Sequence, residues 1–316
     1  MLKRILYIII ILLIPVNSNC SELKLEFDKN QSLVSGVANM STFYFGLSGL
    51  QDDYDDVRFK IFNSSLLTFL SSYTGHEYYG HAYLLRKYNI DHHVHILSRE
   101  TNSDLTTCNP DTKLNIYING LKFNSELGRE SRKNQVMNNI DYKNSLLLIF
   151  QKSIPLFTFR DKSSSSDYTH YCKFNSKNDF EKHVIISMFD PTLWYSVFCV
   201  SKLFIYNEEL EYKNLPFISI DFEIYPHETS NLFIVARMID SHYISLSYEK
   251  GSQHEGCGFQ ITNIKFTNYT SLDYKFHYFN GYDHSIIIYY NHLYTRLNYE
   301  NCDYDISNNI QIGWRF

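Results

Sequence analysis

The stretch Leu272-Asp273-Tyr274-Lys275-Phe276-His277-Tyr278 alternates apolar and polar side chains without a break. This period of two is typical of a β-strand with one apolar and one polar face, because successive side chains of a strand point to opposite sides. Asn280-Gly281 follows closely, and this dipeptide is characteristic of the tight turn of a β-hairpin. The stretch therefore predicts two antiparallel strands joined at residues 280–281.

Similar alternation extends over the last third of the chain. It recurs in residues 218–224 and 244–248, and the chain ends on Ile310-Gln311-Ile312-Gly313-Trp314-Arg315-Phe316. About seven strands fit into residues 217–316, and the alternating residues 23–27 could add an eighth. We therefore expect an α+β protein in which residues 211–316 form an antiparallel sheet of about eight strands, closed into a barrel.

The last strand resembles that of bacterial outer-membrane β-barrel proteins, which finishes on a terminal Phe. This resemblance implies a barrel in the outer membrane, with aromatic side chains facing lipid and polar side chains facing the interior. A soluble antiparallel sheet or sandwich would show the same alternation. Both architectures are therefore open from the sequence.

The N-terminal residues 1–20 have the pattern of a secretory signal peptide. Lys3 and Arg4 precede a short apolar run over residues 5–16, and a short polar segment, residues 17–19, follows before the expected cleavage site. Cys20 occupies the position of a lipidated cysteine, but plain cleavage is the preferred prediction. Export would place the chain in the bacterial cell envelope, either in the periplasm or associated with the outer membrane. The net formal charge of −5, without a basic cluster, argues against a nucleic-acid partner.

Residues 21–210 are predicted to be mainly helical. The uncharged residues 31–51 predict a buried or membrane-associated helix, residues 61–88 a second helix, and residues 184–206 a buried helix interrupted at Asp190-Pro191. Residues 98–180 are rich in Asn, Ser and Lys, so we expect loops there around one or two short elements such as residues 146–159.

The second of these helices carries the stretch Gly75-His76-Glu77-Tyr78-Tyr79-Gly80-His81-Ala82. Two imidazoles and a carboxylate are the groups of a hydrolytic zinc site, in which the histidines bind the metal and the carboxylate takes a proton from water. On a regular α-helix, residues five apart point about 140° away from each other. Two arrangements are therefore open. A π-bulge could bring His76 and His81 to one zinc ion with Glu77 as the general base, or Glu77 and His81 could be the ligands on a regular helix.

The order of these residues resembles the H-E-x-G-H-A helix of the site-two protease family of intramembrane zinc peptidases, with one residue more between the histidines. An H-E-x-x-x-H helix is also found in the tubulin tyrosine carboxypeptidase family. The resemblance implies a zinc cofactor, a polypeptide substrate, Glu77 as the general base, and His76 and His81 as ligands. It also implies an Asp ligand on a later helix, for which Asp190 is the positional candidate. Asp190 followed by Pro191 is, however, also typical of a helix N-cap.

A second histidine cluster, His92-His93-Val94-His95, would place His93 and His95 on one face of a strand. A solvated polar edge is the preferred interpretation of this cluster. The predicted function is thus an envelope-associated zinc-dependent hydrolase, specifically a metallopeptidase. The competing prediction is a non-catalytic outer-membrane β-barrel or adhesin-like surface protein, for which the aromatic strands are a sufficient explanation.

Overall fold

The computed structural model describes residues 24–27, 31–49, 55–95, 100–138, 142–160, 166–173, 175–208, 218–279, 281–291, 293–302 and 305–315. The predicted signal peptide, residues 1–20, and the terminal Phe316 lie outside the described residues. The chain is α+β, as predicted: helices dominate up to residue 206, and antiparallel strands follow from residue 218.

The helical elements of the N-terminal part follow one another closely. They are α1 (Leu33–Gly49), α2 (Val57–Gly75), a π-helical segment (His76–His81), α3 (Ala82–Lys87), α4 (Pro110–Asn138), α5 (Tyr142–Arg160), α6 (Asp167–Cys172), α7 (Lys177–Ser187) and α8 (Pro191–Tyr206). The carboxylate of Asp56 caps α2 by accepting hydrogen bonds from the backbone N–H groups of Arg58 and Phe59. From this cap, α2, the π-helical segment and α3 run on without a break. The helices predicted for residues 31–51 and 61–88 are confirmed.

The prediction of loops over residues 98–180 is wrong. The 29-residue helix α4 lies in this region, and it packs against α1, α5, α6, the π-helical segment and strands β4–β6 (defined below). Buried Leu114, Ile118 and Leu121 join α4 to the largest apolar cluster of the described residues, which also contains Phe180 and Phe222. Because α4 has polar residues on its other side, its hydropathy did not indicate a central helix.

The strands form one large sheet and one small hairpin. They are β1 (Lys24–Phe27), β2 (His92–His95), β3 (Glu100–Ser103), β4 (Ile218–Ile224), β5 (Thr229–Ile239), β6 (His242–Gly251), β7 (Glu255–Lys265), β8 (Thr270–Tyr278), β9 (Gly281–Tyr290), β10 (Leu293–Cys302) and β11 (Asp305–Arg315). The large sheet has the order β1-β11-β10-β9-β8-β7-β6-β5-β4, and all its neighbours are antiparallel. β2 and β3 pair separately.

The large sheet is open. Among the described strands, β1 and β4 are its two edges, and the closed barrel stays a prediction. The sheet has nine described strands, one more than predicted. Both edges are contacted by helices, because α1 packs against β1 while α7 and α8 pack against β4. From β4 to β11 each strand pairs with its sequence neighbour, as expected of consecutive hairpins, whereas β1 pairs with β11 from the other end of the chain.

The interruption at Asp190-Pro191 separates α7 from α8. Asp190 is the N-cap of α8, since its carboxylate accepts a hydrogen bond of 2.9 Å from the backbone N–H of Thr192, and Pro191 is the first helical residue. Within the described part of the chain, no single helix combines the length and apolar composition needed to cross a membrane. The pair α7 and α8, bent by 52°, meets these two criteria only when taken together.

Candidate metal centre

The residues from His76 to His81 form a π-helix. Its wider turn, closed by hydrogen bonds between residues five apart, brings His76 and His81 to the same side of the helix. The Nε2 atoms of the two histidines are 3.1 Å apart, and both side chains are buried. The π-helical arrangement anticipated from the spacing is therefore present, and the regular helix required by the alternative is not.

A glycine contact lets α4 approach the two imidazoles. A Cβ atom at Gly120 would lie 2.6 Å from the Nε2 atoms of both His76 and His81. A Cβ atom at Gly80 would lie 2.6 Å from the Cα atom of Gly120, so the two helices touch through their backbones at this point. The histidine side chains are thus held against the backbone of α4, where a larger residue would displace them.

Asp167, the first residue of α6, completes the group. Its Oδ2 atom lies 3.0 Å from Nε2 of His76 and 3.4 Å from Nε2 of His81. With the 3.1 Å between the histidines, the three atoms form a nearly equilateral triangle. Ligand atoms in a tetrahedral zinc site with bonds of about 2.0–2.1 Å stand about 3.3 Å apart. The triangle therefore has the dimensions of three ligands to one zinc ion.

The outer ring nitrogens of both histidines have partners. Nδ1–H of His81 donates a hydrogen bond of 2.6 Å to the backbone carbonyl of Ile116, which leaves Nε2 of the neutral ring with a free lone pair. Nδ1 of His76 lies 2.7 Å from the side-chain amide of Asn124. When this amide turns its oxygen to the ring, it accepts the Nδ1 proton of His76 as well. Partners of this kind set the tautomer of histidines that bind metals.

Glu77 lies beside the histidine pair and is buried. Its ligand atom and those of His76 and His81 all lie within 4.8 Å of one another. The hydroxyl of Thr101 on β3 donates a hydrogen bond of 2.6 Å to Oε2 of Glu77 and so orients the carboxylate. We call His76, Glu77, His81 and Asp167 the histidine cluster.

The charges of the histidine cluster are strongly coupled. Burial by itself would lower the pKa of His81, but the Asp167 carboxylate and, to a smaller extent, Glu77 raise it to about 9. Burial would raise the pKa of Asp167, but charge on His81 and hydrogen bonds from both imidazoles hold that pKa well below its usual range. Asp167 therefore stabilises a positive charge at the position between the two rings.

Asp190, the sequence candidate for the third ligand, is engaged elsewhere. Its completely buried carboxylate lies 3.2 Å from Nζ of Lys152 and accepts a hydrogen bond of 2.8 Å from the Thr192 hydroxyl. Nζ of Lys152 is also 3.1 Å from Asp221, whose other oxygen is 3.1 Å from Nε of Arg129. We call Lys152, Asp190, Asp221 and Arg129 the Lys152 network. Asp190 is thus a helix cap and a partner of a lysine, and Asp167 is the aspartate beside the histidines.

Sequence reasoning missed Asp167 because it lies in a serine-rich stretch that predicted a loop. The only local signal is the Asp-x-x-His spacing of Asp167 and His170, which places both on one side of a helical turn. The ring of His170 stacks on Tyr117 of α4, with centroids 3.8 Å apart. This stack fixes α6 against α4 and so positions Asp167.

The second histidine cluster lies on a strand, β2, and His93 is exposed there. The side chain of His95 lies outside the described residues. Among the described side chains, the group around His76, Glu77 and His81 is the one arrangement of at least three His, Cys, Asp or Glu residues with metal-binding spacing. β2 therefore carries no comparable site in the described part of the chain.

The histidine cluster combines imidazole nitrogens with carboxylate oxygens, and this donor set suits zinc. Its three-atom triangle leaves one side of a tetrahedral ion without a ligand from Asp167 or the histidines, as in catalytic zinc sites. In comparisons with known proteins, no family model, no curated protein and no solved structure matches this chain. Any function proposed for the cluster therefore rests on its geometry and chemistry and on the local resemblance of its helix to those of zinc peptidases.

Proposed function

We propose that this protein is an envelope-associated zinc-dependent hydrolase that cleaves peptide bonds. The observation that carries the proposal is the triangle of 3.0–3.4 Å formed by Nε2 of His76, Nε2 of His81 and Oδ2 of Asp167. These three residues would hold the ion. Zinc held there would acidify a water molecule and polarise a substrate carbonyl group. Peptides are the proposed substrate class because the helix carrying His76 and Glu77 resembles those of zinc peptidases.

Glu77 is the proposed general base. With Asp167 as the third ligand, the carboxylate of Glu77 is free to accept a proton from the attacking water and to pass it to the leaving amine. The hydrogen bond from Thr101 holds one oxygen of Glu77, so that the other oxygen can exchange the proton. The Ile116 carbonyl accepts the Nδ1 proton of His81, and Asn124 would accept that of His76 with its amide oxygen turned to the ring, so that both Nε2 lone pairs would face the ion.

The test measures zinc content and peptide hydrolysis on the full chain, purified in detergent and supplied with zinc. Zinc per chain is determined by mass spectrometry, and hydrolysis is followed with a mixture of quenched fluorescent peptides. Glu77→Gln should abolish hydrolysis and keep about one zinc per chain, because the amide cannot accept the proton. His81→Ala and Asp167→Ala should lose both zinc and hydrolysis. His93→Ala, which removes an exposed histidine of β2, is the matched control and should change neither.

Two results would contradict this assignment of roles. Loss of zinc in Glu77→Gln would make Glu77 a ligand and would require another base. A wild-type protein that binds no zinc under these conditions would rule out the hydrolase.

The second candidate is a non-catalytic outer-membrane or surface protein. It is favoured by one observation, the row of exposed apolar side chains on the large sheet, including Leu246, Ile310 and Ile312. Such side chains need no catalytic site to explain them. If purified protein binds no zinc but still partitions into membranes, this second candidate becomes the better account.

A further inference from the structure

The large sheet turns its polar face toward the central helix. Between this face and the charged side of α4 lies a cavity of about 640 Å³. Glu126 and Arg129 of α4 line the cavity together with Asp273, Lys275 and Arg296 of the strands. In a soluble protein of this class, the sheet face that packs on a helix is apolar. Here the face toward α4 carries the charged residues, beside buried apolar ones such as Leu232 and Tyr243.

The opposite face of the sheet is mostly apolar, and it is exposed over much of β5 to β11. Leu246 of β6 stands in register between Val235 of β5 and Phe259 of β7. Leu297 of β10 likewise stands opposite Ile310 of β11. Because paired residues share a face, these contacts build continuous apolar rows across the sheet. Side chains of this face that are 40% to 66% exposed include Val235, Leu246, Ile288, Leu297, Ile310 and Ile312.

Two helices extend this apolar surface beyond the edges of the sheet. α8 packs against β4 and α2, and α1 packs against α2 and β1, so helices connect one edge of the sheet to the other. Phe62, Leu66 and Leu70, spaced four residues apart on one side of α2, are exposed. Trp194 and Phe198 of α8 are also exposed, by more than half of each side chain.

We propose that the outer face of the large sheet and the outer sides of α2 and α8 form one surface that contacts the acyl chains of a lipid bilayer. Strands β5–β11 have 9 to 11 residues, the length that crosses a hydrocarbon layer of about 30 Å when the strands are tilted. Helices pack against both edge strands, β1 and β4, and an edge packed against protein is easier to place in lipid than a bare one. A second copy of the chain would cover one patch, whereas apolar exposure here occurs on both the sheet and the helices.

The charged residues of the outer face lie near its borders. Lys250 and Glu255 flank the turn between β6 and β7, and their charged groups are 2.7 Å apart. Arg237 lies two residues before the end of β5. Long charged side chains at such positions reach the polar head groups of a bilayer. The proposal does not depend on zinc binding or on catalysis.

Fluorescence quenching by lipids brominated on their acyl chains tests the proposal. The chain has two tryptophans, Trp194 and Trp314, so Trp314→Phe leaves Trp194 as the reporter on α8. The full-length variant is reconstituted into vesicles of brominated phosphatidylcholine and phosphatidylglycerol. Emission from Trp194 should be about twofold lower than in the same vesicles without bromine, because an apolar membrane-facing indole lies close to the acyl chains.

A matched pair tests the sheet in a background that lacks both native tryptophans. Leu297→Trp reports from the outer face, and Asn298→Trp reports from the neighbouring position, which lines the cavity. Bromine should quench Leu297→Trp and spare Asn298→Trp, with circular dichroism confirming that both variants are folded.

Each result of this experiment decides part of the proposal. Quenching of Leu297→Trp without quenching of Trp194 would remove the helices from the lipid-facing surface. Equal quenching of the matched pair, or none in either variant, would overturn the proposal. Dimers in detergent together with unquenched tryptophans would identify the outer face as an interface between copies of the chain.

Discussion

The histidine cluster and the Lys152 network are both buried polar groups, but they balance their charges differently. In the Lys152 network, Asp190 and Asp221 lie 3.1–3.2 Å from the ammonium group of Lys152, and Arg129 adds a second fixed cation. In the histidine cluster, Asp167 pairs with the two imidazoles and Glu77 accepts a hydrogen bond from the Thr101 hydroxyl. Among the described residues, no lysine or arginine pairs with either carboxylate.

This difference shows how a structural ion network is distinguished from a metal site. A buried carboxylate is costly unless a positive charge compensates it. Lys152 and Arg129 supply that charge permanently. The imidazoles supply it only when protonated, and when neutral they offer lone pairs instead. The histidine cluster therefore has room for an external cation, and the Lys152 network does not.

The largest expected effect lies in the Lys152 network. Lys152→Met keeps the length of the side chain but leaves the buried Asp190 without its cation, so the free energy of unfolding should fall by about 3–5 kcal/mol. Zinc content should not change. Lys177→Met is the matched control, because Lys177 is largely exposed and its pairing with Glu181 is worth about 0.3–0.5 kcal/mol. Denaturant unfolding measures both variants. Zinc loss in a folded Lys152→Met protein would contradict the separation of the two sites.

The next effect tests the glycine contact. Gly120→Ala adds a methyl group 2.6 Å from both histidine Nε2 atoms, so the rings must move and the triangle must widen. Zinc affinity, measured by competition with a chelator, should fall more than about 100-fold. Loss of a residue that only hydrogen-bonds a ligand costs up to about 100-fold, and here the ligands themselves are displaced. Gly49→Ala is the control, because a Cβ atom at Gly49 would meet no atom within 4 Å. Unchanged affinity in Gly120→Ala would show that the metal lies elsewhere.

A smaller effect is expected from the partner of His76. Asn124→Leu removes the amide next to Nδ1 but retains the volume of the side chain, so His76 loses its orienting hydrogen bond. Zinc affinity should fall by about 10–100-fold, while zinc at saturating concentration should still reach about one per chain. Asn119→Leu is unsuitable as a control because the Asn119 amide donates to the backbone of Gly80. The exposed Asn268→Leu serves instead, and an equal loss in that variant would indicate a nonspecific effect.

The smallest expected effect is the release of protons when zinc binds. In the metal-free protein the pKa of His81 is about 9, above its ordinary 6.5, so the ring is protonated at pH 7.5. Zinc binding needs the neutral ring and should therefore release about one proton per ion at pH 7.5. The number should decline as the pH rises through about 9. Calorimetry in buffers with different ionisation enthalpies measures this release. No release at pH 7.5 would mean that Asp167 does not hold a proton on His81.

Local pattern predicted much of this protein correctly. Period-two alternation identified the antiparallel strands, because side chains of a strand alternate whatever lies on either face. The Asp190-Pro191 pair identified the start of α8. The five-residue spacing of His76 and His81 restricted the helix to two geometries, of which the π-helix is present.

The errors have a common physical cause. The hydropathy of α4 did not indicate a central helix because its charged side chains face a cavity inside the protein rather than bulk solvent. The choice of Asp190 rather than Asp167 as the third metal ligand has a similar reason. Both are largely buried acids after the histidine helix, and only their neighbours distinguish a cap paired with lysine from a residue paired with imidazoles.

The sequence by itself determined the α+β class and the antiparallel order of the C-terminal strands. It also identified the two histidines that share one side of a helix. Each of these features follows from residues that are close together in the chain. Only the tertiary structure decided that α6 brings Asp167 to those histidines, that Gly120 lets α4 touch them, and that the large sheet turns its charged residues toward α4. These features depend on contacts between distant segments. Packing, and not local propensity, sets such contacts.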